Sequence, residues 1–271
     1  MLELWLFTTD LDLSLEAEKA GVKAIIIDWE GNSKVERQVN TGFECNSDTL
    51  EDLERISANT RLKSVCRVNA ISPFLKLEID QAIAAGADII FLPMAKDDSD
   101  VREFMGYVHE RAQTGVLIET KEAVENAKNI AILEPDFIYV GLNDLSISRG
   151  YSNIFKAVSD GTVEKLRNIF NDQLFGFGGV TIVDGGYPVQ ASLLLKEMSR
   201  LECDYGFLRR SFKKDIVGKD MEHEIGEISQ HYLKYKNRST EKISLDHQLL
   251  IDAINNINSF ALFHQTNSTN I

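Results

Sequence analysis

Two carboxylates, Glu119 and Asp144, each follow a short apolar run, VLI in residues 116–118 and IYVG in residues 138–141. If these runs are consecutive parallel strands, they end at the same edge of a sheet, and the two carboxylates can converge on one point. Two oxygen ligands with open positions suit Mg²⁺ or Mn²⁺, which keep several waters and take further oxygens from a substrate. The spacing therefore makes Glu119 and Asp144 candidate ligands of a divalent metal.

A capping role is the alternative interpretation of both carboxylates. Asp144 would cap a short helix in LSIS, and Glu119 would cap, together with Thr120, the helix that follows it. Acidic residues favour helix starts because of the helix dipole, so spacing alone leaves both interpretations open.

The elements that must position these carboxylates recur at fairly regular intervals. Short β-branched or aliphatic runs, each followed by a stretch of helical periodicity, predict eight β-then-α units. Eight such units in 271 residues predict a (β/α)8 TIM barrel of the α/β class, with a doubly wound open sheet as the alternative. The predicted strands are residues 2–7, 24–28, 63–68, 88–92, 115–119, 137–140, 174–177 and 204–208.

The barrel is predicted to carry extra C-terminal helices, in EHEIGEISQHYLKYKN and SLDHQLLIDAINNINSFALF. We expect a catalytic barrel domain in residues 1–236, followed by a C-terminal helix and a flexible tail in residues 237–271. The apolar stripe of the last helix is not needed to close a barrel, which predicts a homo-oligomer.

Charge and composition limit the partners. A net charge of −13 argues against a nucleic-acid partner, because binding a phosphate backbone requires a basic surface. The start, MLELW, lacks a basic leader and no later window reaches membrane-spanning length, which predicts a protein without a membrane association. Three scattered cysteines, Cys45, Cys66 and Cys203, suggest neither a disulfide framework nor a zinc finger, so we expect a reducing cytoplasm.

Residues 21–150 carry a series of motifs in a fixed order. An Arg ends the third strand, Gly-Ala-Asp and then Pro-Met accompany the fourth, Ile-Glu-Thr ends the fifth, and G-x-x-D-L-S follows the sixth. With these motifs the chain resembles the metal-dependent 2-oxo-acid aldolases of the HpcH/HpaI type and the related citrate lyase β-subunits. These belong to the phosphoenolpyruvate/pyruvate barrel superfamily.

The resemblance implies roles for individual residues. Glu119 and Asp144 match the family's two protein ligands of Mg²⁺ or Mn²⁺, and Arg67 matches the arginine that contacts the substrate's oxo group. Pro93 and Gly141 match positions beside the substrate. A divalent ion and a guanidinium on the same oxygen would together stabilise the enolate that C–C cleavage leaves. The alternative for Arg67 is a salt bridge to a neighbouring strand-end acid.

The second predicted strand ends in IIIDWEG, where the resemblance implies that Asp28 and Glu30 orient water or serve as the catalytic base. Aldolases of this type have a histidine next in this loop, and here the residue is Gly31. The substrate's proton must then pass to Glu30, Asp28, a water on the metal or a group from the second half of the chain.

The histidines offer no replacement, since all fall in predicted helices or the tail, where they are surface or core residues unless one enters from a neighbouring subunit. They are His109, His223, His231, His247 and His264.

The loops after the seventh and eighth strands carry three glycines and two arginines. Gly176, Gly178 and Gly179 allow close backbone approach, and Arg209 and Arg210 supply positive charge. A phosphate, a carboxylate or a coenzyme A moiety could bind there. Alternatively, the glycines are turn residues and the arginines pair with surface acids.

The resemblance implies a metal-dependent carbon–carbon lyase acting on a small 2-oxo acid through a pyruvate-type enolate. Citrate-lyase-like cleavage of a hydroxyacyl thioester is a second possibility, although it needs a nucleotide site that the sequence does not locate. A catalytically silent protein that binds an oxo acid and a metal is the third. Gly31 favours this third possibility, and the joint presence of Arg67, Glu119 and Asp144 opposes it.

Overall fold

The computed structural model describes residues 1–31 and 48–257. Cys45, His264 and residues 258–271, which include the end of the last predicted helix and the predicted flexible tail, lie outside the described residues. The eight predicted strands are confirmed with boundaries that shift by at most two residues. They are β1 (Glu3–Phe7), β2 (Ala24–Asp28), β3 (Lys63–Arg67), β4 (Ile89–Leu92), β5 (Gln113–Ile118), β6 (Phe137–Val140), β7 (Leu174–Phe177) and β8 (Tyr205–Leu208).

Helices follow the strands as the periodicity predicts. In the described part of the chain they are α1 (Leu11–Ala20), α2 (Leu50–Asn59), α3 (Leu75–Ala84), α4 (Asp98–Val108), α5 (Lys121–Glu125), α6 (Ala127–Ala131), α7 (Leu142–Ser148), α8 (Lys156–Ser159), α9 (Thr162–Ile169), α10 (Ala191–Arg200), α11 (Arg210–Asp215), α12 (Met221–Lys236) and α13 (Thr240–Asn255). None of the helices among these residues is long and apolar enough to cross a membrane.

Local signals fix several helix ends. Asp10 caps α1 by accepting from the Leu13 N–H, and Gly21, with φ 96°, ends the same helix in the left-handed conformation that glycine adopts without strain. Thr49 and Asp52 form a reciprocal capping box at the start of α2. These caps set where the chain turns back towards the sheet.

The strands form one parallel sheet in the order β7-β6-β5-β4-β3-β2-β1-β8. The two end strands meet, because the Asp204 N–H donates to the Phe175 carbonyl at 2.9 Å and Val180 bridges Leu208. Gly176 permits this approach, since a Cβ there would lie 2.5 Å from the Tyr205 carbonyl oxygen. The sheet therefore forms a nearly closed barrel, and the prediction of a (β/α)8 barrel is confirmed over the open sheet.

Large aromatic side chains fill the barrel interior. Trp5 stacks on Tyr205 with ring centroids 4.4 Å apart, and Tyr139 stacks on Phe207 at 3.7 Å. Stacked pairs contribute about 0.5–1.5 kcal/mol each beyond their buried area. A separate, aliphatic core lies between the strands and the surrounding helices. The barrel interior is thus a packed core and not a channel.

The last helix, α13, packs against α8 and α10 and buries Leu250 and Ile254 in the outer core. The expectation that a closed barrel leaves the apolar stripe of this helix unburied is therefore wrong for Leu250 and Ile254. Leu245 and Leu249 on the other side are 53% and 46% exposed. A domain division at residue 236 and the homo-oligomer stay predictions.

Candidate active site

A cavity of about 670 Å³ opens at the carboxyl ends of the strands. Its floor is the aromatic barrel interior, and its walls come from the ends of β3, β5, β6, β7 and β8 and the loops that follow them. The charged and hydroxyl-bearing residues of the wall are Arg67, Glu119, Asp144, Asp184, Arg209, Arg210, Ser211 and Asp215. The floor includes Phe7, Leu117, Tyr139 and Phe207.

Glu119 directly follows β5 and is 2% exposed. Its Oε1 accepts a hydrogen bond of 2.9 Å from the Met94 N–H. Met94 has a φ of 56°, a left-handed conformation that costs a non-glycine residue about 1 kcal/mol or more. Thr120 caps α5 by accepting from the Ala123 N–H. The capping interpretation of this pair therefore holds for Thr120 and not for Glu119, whose carboxylate faces the cavity.

Asp144 is the third residue of α7 and is 8% exposed. Gly141 occupies the N-cap position, and no side chain caps this helix. Gly141 also lies directly against the other carboxylate, since a Cβ there would be 2.4 Å from Glu119 Oε2. Gly141 thus leaves room for Glu119, and Asp144, in the first turn of the helix, lines the cavity.

The two carboxylates repel one another. Burial, followed by the charges of Asp144 and Glu30, raises the pKa of Glu119 to about 8, although Arg67 and the Met94 N–H act in the opposite direction. Neighbouring buried carboxylates need a cation to remain ionised together. Residues 1–31 and 48–257 contain no group of three or more His, Cys, Asp and Glu able to hold a metal. Two carboxylates nevertheless fit Mg²⁺ or Mn²⁺, which take their other oxygens from water and substrate.

Arg67 ends β3 and reaches the same cavity. Its Nε and Nη2 donate to the two oxygens of Asp28 at 2.8 and 2.6 Å, and its Nη1 lies 3.1 Å from Glu30 Oε2. The guanidinium also lies over the Phe7 ring, 5.5 Å from its centroid. The salt-bridge alternative for Arg67 is thus present in the structure, and it orients a guanidinium that still lines the cavity.

Asp28 and Glu30 are fully buried. Asp28 is the register partner of Arg67 across β2 and β3, which explains the bidentate pairing. Among the described residues, the cavity wall includes Arg67 but neither of these two acids. Their position fits a role in holding Arg67, and the role that the resemblance implies, orienting water or serving as the base, stays a prediction. The Gly31 N–H donates to Asn69 Oδ1 at 3.2 Å, and the chain beyond it lies outside the described residues.

The model of the HpcH/HpaI aldolase/citrate lyase family matches residues 2–159, which is more than half of the chain. The chain belongs to this family. Family and fold assign it to the aldolase and citrate lyase type of lyases, which generally depend on a divalent metal. The matched region contains Arg67, Glu119 and Asp144, and it ends before β7.

Solved structures with the same fold cover the second half as well. The HpcH/HpaI aldolase from Desulfitobacterium hafniense DCB-2 is similar with a TM-score of 0.61 and 12% identity, over 88% of this chain and 94% of that one. Citrate synthase SbnG is similar with a TM-score of 0.59 and 17% identity, over 86% and 94%. RipC from Yersinia pestis has a TM-score of 0.55 and 13% identity, over 90% and 98%. At these identities the likeness shows the fold alone. No curated protein sequence matches the chain.

The other predicted substrate-binding residues lie in different places. Gly141, Gly178 and Arg209 line the cavity, whereas Pro93 is buried and is absent from the described wall. Pro93, whose ring fixes its φ, is the residue before Met94. Any effect of Pro93 on the site therefore acts through the position of the Met94 N–H, which donates to Glu119.

No described histidine lines the cavity. His109 ends α4, and His223 and His231 lie on α12. His247 on α13 bonds the Glu197 carboxylate at 3.0 Å. The aldolase pattern with a histidine base is therefore not reproduced in residues 1–31 and 48–257.

Sequence reasoning missed the floor of the cavity. The Tyr139 hydroxyl donates to the Gly178 carbonyl and accepts from the Phe207 N–H at 3.2 Å. Burial raises the pKa of Tyr139, so the phenol stays protonated and links β6 to the loop after β7. Its only sequence signal is an aromatic residue inside an apolar run, and this does not reveal which face of the strand it occupies.

Proposed function

We propose that this protein is a divalent-metal-dependent carbon–carbon lyase, which cleaves or forms a bond to a 2-oxo acid through a pyruvate-type enolate. The observation that supports the proposal is the meeting of Glu119, Asp144 and Arg67 on one cavity above a closed apolar floor. Family membership supports the reaction type, and the three side chains support its dependence on metal and oxo acid.

Glu119 and Asp144 are the residues that would hold Mg²⁺ or Mn²⁺. Such an ion supplies Lewis acidity, drawing electron density from the oxygens of a bound 2-oxo acid. The Met94 N–H fixes one oxygen of Glu119, and the missing side chain of Gly141 leaves the space that the other oxygen occupies. The protein therefore orients the Glu119 carboxylate before any ligand binds.

Arg67 would bind the oxo group. Nε and Nη2 each donate one N–H to Asp28, and Nη1 is ion-paired with Glu30. Each terminal nitrogen carries two N–H groups, so both Nη1 and Nη2 keep an N–H to donate to the substrate oxygen. Because negative charge on that oxygen grows as the enolate forms, the bond from Arg67 strengthens along the reaction. Asp28 and Glu30 act as positioning residues, since they fix the plane of the guanidinium.

The silent-binder alternative keeps one observation in its favour, the lack of a histidine on the described cavity wall. The retained geometry of Arg67, Glu119 and Asp144 opposes it, because loss of catalysis removes the selection that keeps all three together. A reducing compartment, as in the cytoplasm, fits the two described cysteines, Cys66 and Cys203, which are buried free thiols.

Calorimetric titration of the metal tests the proposal. Titrating Mg²⁺ and Mn²⁺ into the wild type should show one site per chain. Glu119→Gln and Asp144→Asn should each weaken it by more than the ~10- to 100-fold that loss of an outer-shell partner costs. Glu125→Gln removes an exposed acid of α5 and serves as the matched control. Equal affinities in all four proteins would exclude this metal site.

A further inference from the structure

The chain between α7 and α8 links the cavity to the last helix. Ile154 and Phe155 line the cavity wall, and Phe155 is 4% exposed. Asn153, the residue before them, is not among the described residues of that wall, but both ends of its side-chain amide are used. Its Oδ1 accepts the Phe155 N–H at 2.9 Å, and its Nδ2 donates to the Ile254 carbonyl of α13 at 2.9 Å. Asn153 thus contacts the cavity wall on one side and the last helix on the other.

The Ile254 carbonyl needs a partner from outside its helix. Ile254 lies in the last turn of α13, where carbonyls have no N–H of a following turn to accept. It accepts the Ile257 N–H at 3.2 Å, and the Asn153 amide, 101 positions earlier in the chain, supplies a hydrogen bond from outside the helix. The Ile254 side chain is fully buried. Asn153 therefore fixes the end of α13 to the cavity wall.

The first half of α13 is fixed to the barrel by a separate group of charges. Asp246 is 2% exposed and pairs with Arg238 at 2.9 Å. It also pairs with Lys196 on α10 at 3.3 Å and with Lys242 at 3.2 Å. Asp246 is absent from the described cavity wall. A change at Asp246 therefore acts on the cavity through α13, whose packing against α8 and bond to Asn153 lie between the two.

The wall held in this way is apolar and lies next to a proposed metal ligand. α8 packs against α7, the helix of Asp144. Leu142 on α7 lines the cavity together with Ile154 and Phe155. In the proposed function the 2-oxo acid occupies the two carboxylates and Arg67, so these uncharged side chains are left to the carbon chain of the second substrate. Removing an apolar chain from water against such a wall favours binding.

We propose that Asn153 is a positioning residue, which couples the docking of α13 to the shape of the wall formed by Ile154 and Phe155. Through this wall it acts on the binding of the second substrate, an aldehyde with an apolar chain. The part that concerns the aldehyde rests on the proposed function, and the link between helix and wall does not. Because such a link is reciprocal, weakening α13 loosens the wall, and a ligand that packs on the wall stabilises α13.

Hydrogen–deuterium exchange of residues 151–158, followed by mass spectrometry in the full chain without ligand, tests the link. Asp246→Asn should speed exchange of this segment by about fivefold or more. Leu53→Ala is the control, because it removes a buried side chain of α2, which packs against β2 and β3, and destabilises the protein by at least as much. It should change exchange of the segment by less than about twofold.

Asn153→Asp separates the link from ordinary destabilisation. It keeps the oxygen that accepts the Phe155 N–H and removes the donor to Ile254. In this background Asp246→Asn should speed exchange of residues 151–158 by less than about twofold, since the path to the wall is already broken. An increase of about fivefold that persists in Asn153→Asp would overturn the inference. So would an equal increase in Leu53→Ala or unchanged exchange in Asp246→Asn.

Kinetics test the part that concerns the aldehyde. With pyruvate, Mg²⁺ and aldehydes from propanal to hexanal, Asn153→Asp should raise the KM for the aldehyde by about fivefold or more, while kcat changes by less than about twofold. A fall in kcat at unchanged KM would overturn the positioning role. A wild type that is inactive with every aldehyde would contradict the proposed function, and the exchange measurements would still decide whether Asn153 links the helix to the wall.

Discussion

Replacing Gly141 with alanine tests whether the geometry of the two carboxylates depends on the missing side chain at this position. The backbone of Gly141 has a φ of −80°, which alanine adopts without strain. The added Cβ, however, would lie 2.4 Å from Glu119 Oε2 and 3.0 Å from Glu119 Cβ. The effect of the substitution is therefore steric and falls on one carboxylate.

The size of the effect follows from that distance. Contacts below 3.0 Å are essentially never made by a real Cβ, so Glu119 or α7 must move by about 0.6 Å or more. Overpacking of this kind costs about 1–3 kcal/mol of stability. A displacement approaching 1 Å lowers catalysis by up to about 100-fold. We therefore expect metal affinity and turnover to fall by about 10- to 100-fold while the protein stays folded.

The assay compares Gly141→Ala with Gly226→Ala. Gly226 lies within α12, and a Cβ there would meet nothing within 4 Å. Alanine at Gly226 should stabilise the helix by about 0.5–1 kcal/mol and leave Mg²⁺ affinity unchanged. Urea unfolding and Mg²⁺ titration measure the two quantities. If Gly141→Ala binds Mg²⁺ as the wild type does, the position of Glu119 is not limited by Gly141 and the reasoning fails.

Three further predictions concern the base, the C-terminal helix and assembly. Glu30→Gln keeps an oxygen for Arg67, so a positioning role predicts a loss of activity below about tenfold; a loss of 10²-fold or more at unchanged substrate binding would make Glu30 the base. Burial raises the pKa of Asp246, yet hydrogen bonds from Arg238 and Lys242 outweigh it and leave the pKa below its ordinary 3.8. Asp246→Asn should therefore lose about 2 kcal/mol of stability at pH 7, measured by urea unfolding. The difference from wild type should shrink below pH 3.8, because the stabilisation from the Asp246 carboxylate disappears as pH falls through its folded-state pKa. Sedimentation at micromolar concentration should show a dimer or larger assembly that Leu249→Lys weakens, and a wild-type monomer would contradict this.

The strands could be predicted because buried parallel strands are continuous apolar runs that turn residues interrupt. The run YVGLND illustrates both the strength and the limit of this signal. It predicts the end of β6 and the place of the Asp144 carboxylate. It does not show why a glycine is required at position 141, which is that a side chain there would collide with Glu119 at the end of the neighbouring strand. Contacts across strands depend on register, and register is not readable from one strand alone.

The pairing of Arg67 with Asp28 was foreseen only as an alternative for the same reason. The two residues are register partners on β2 and β3, although 39 positions separate them in the chain. The stretch of helical periodicity after β5, KEAVENAKNIAIL in residues 121–133, forms two shorter helices, α5 and α6, which meet at Asn126. Asn126 donates to the Glu122 and Lys96 carbonyls, and the Lys96 contact is a tertiary one that periodicity does not contain.

The aromatic floor was not predicted, because a strand buried on both sides shows no alternation between polar and apolar residues. Nothing in FIYV distinguishes Tyr139, which faces the interior, from its neighbours that face the helices. The Nε and Nη2 atoms of Arg209 are buried without a hydrogen-bond partner among the described residues, and this depends on how the loop after β7 packs against the end of β8. The sequence predicts a positive charge at this place but does not show whether the guanidinium has a hydrogen-bond partner.

Exchange of the methyl protons of pyruvate with deuterium from solvent is the most direct test of the enolate chemistry, since it needs no second substrate. NMR should show exchange by the wild type that requires Mg²⁺ or Mn²⁺. Arg67→Ala should slow it by about 100-fold or more, and by a larger factor than it weakens pyruvate binding. Arg67→Lys keeps a charge beside Asp28 and Glu30, and it controls for unfolding of the site. Pyruvate that binds with Mg²⁺ but shows no metal-dependent exchange over a broad pH range would contradict the account, as would undiminished exchange in Arg67→Ala.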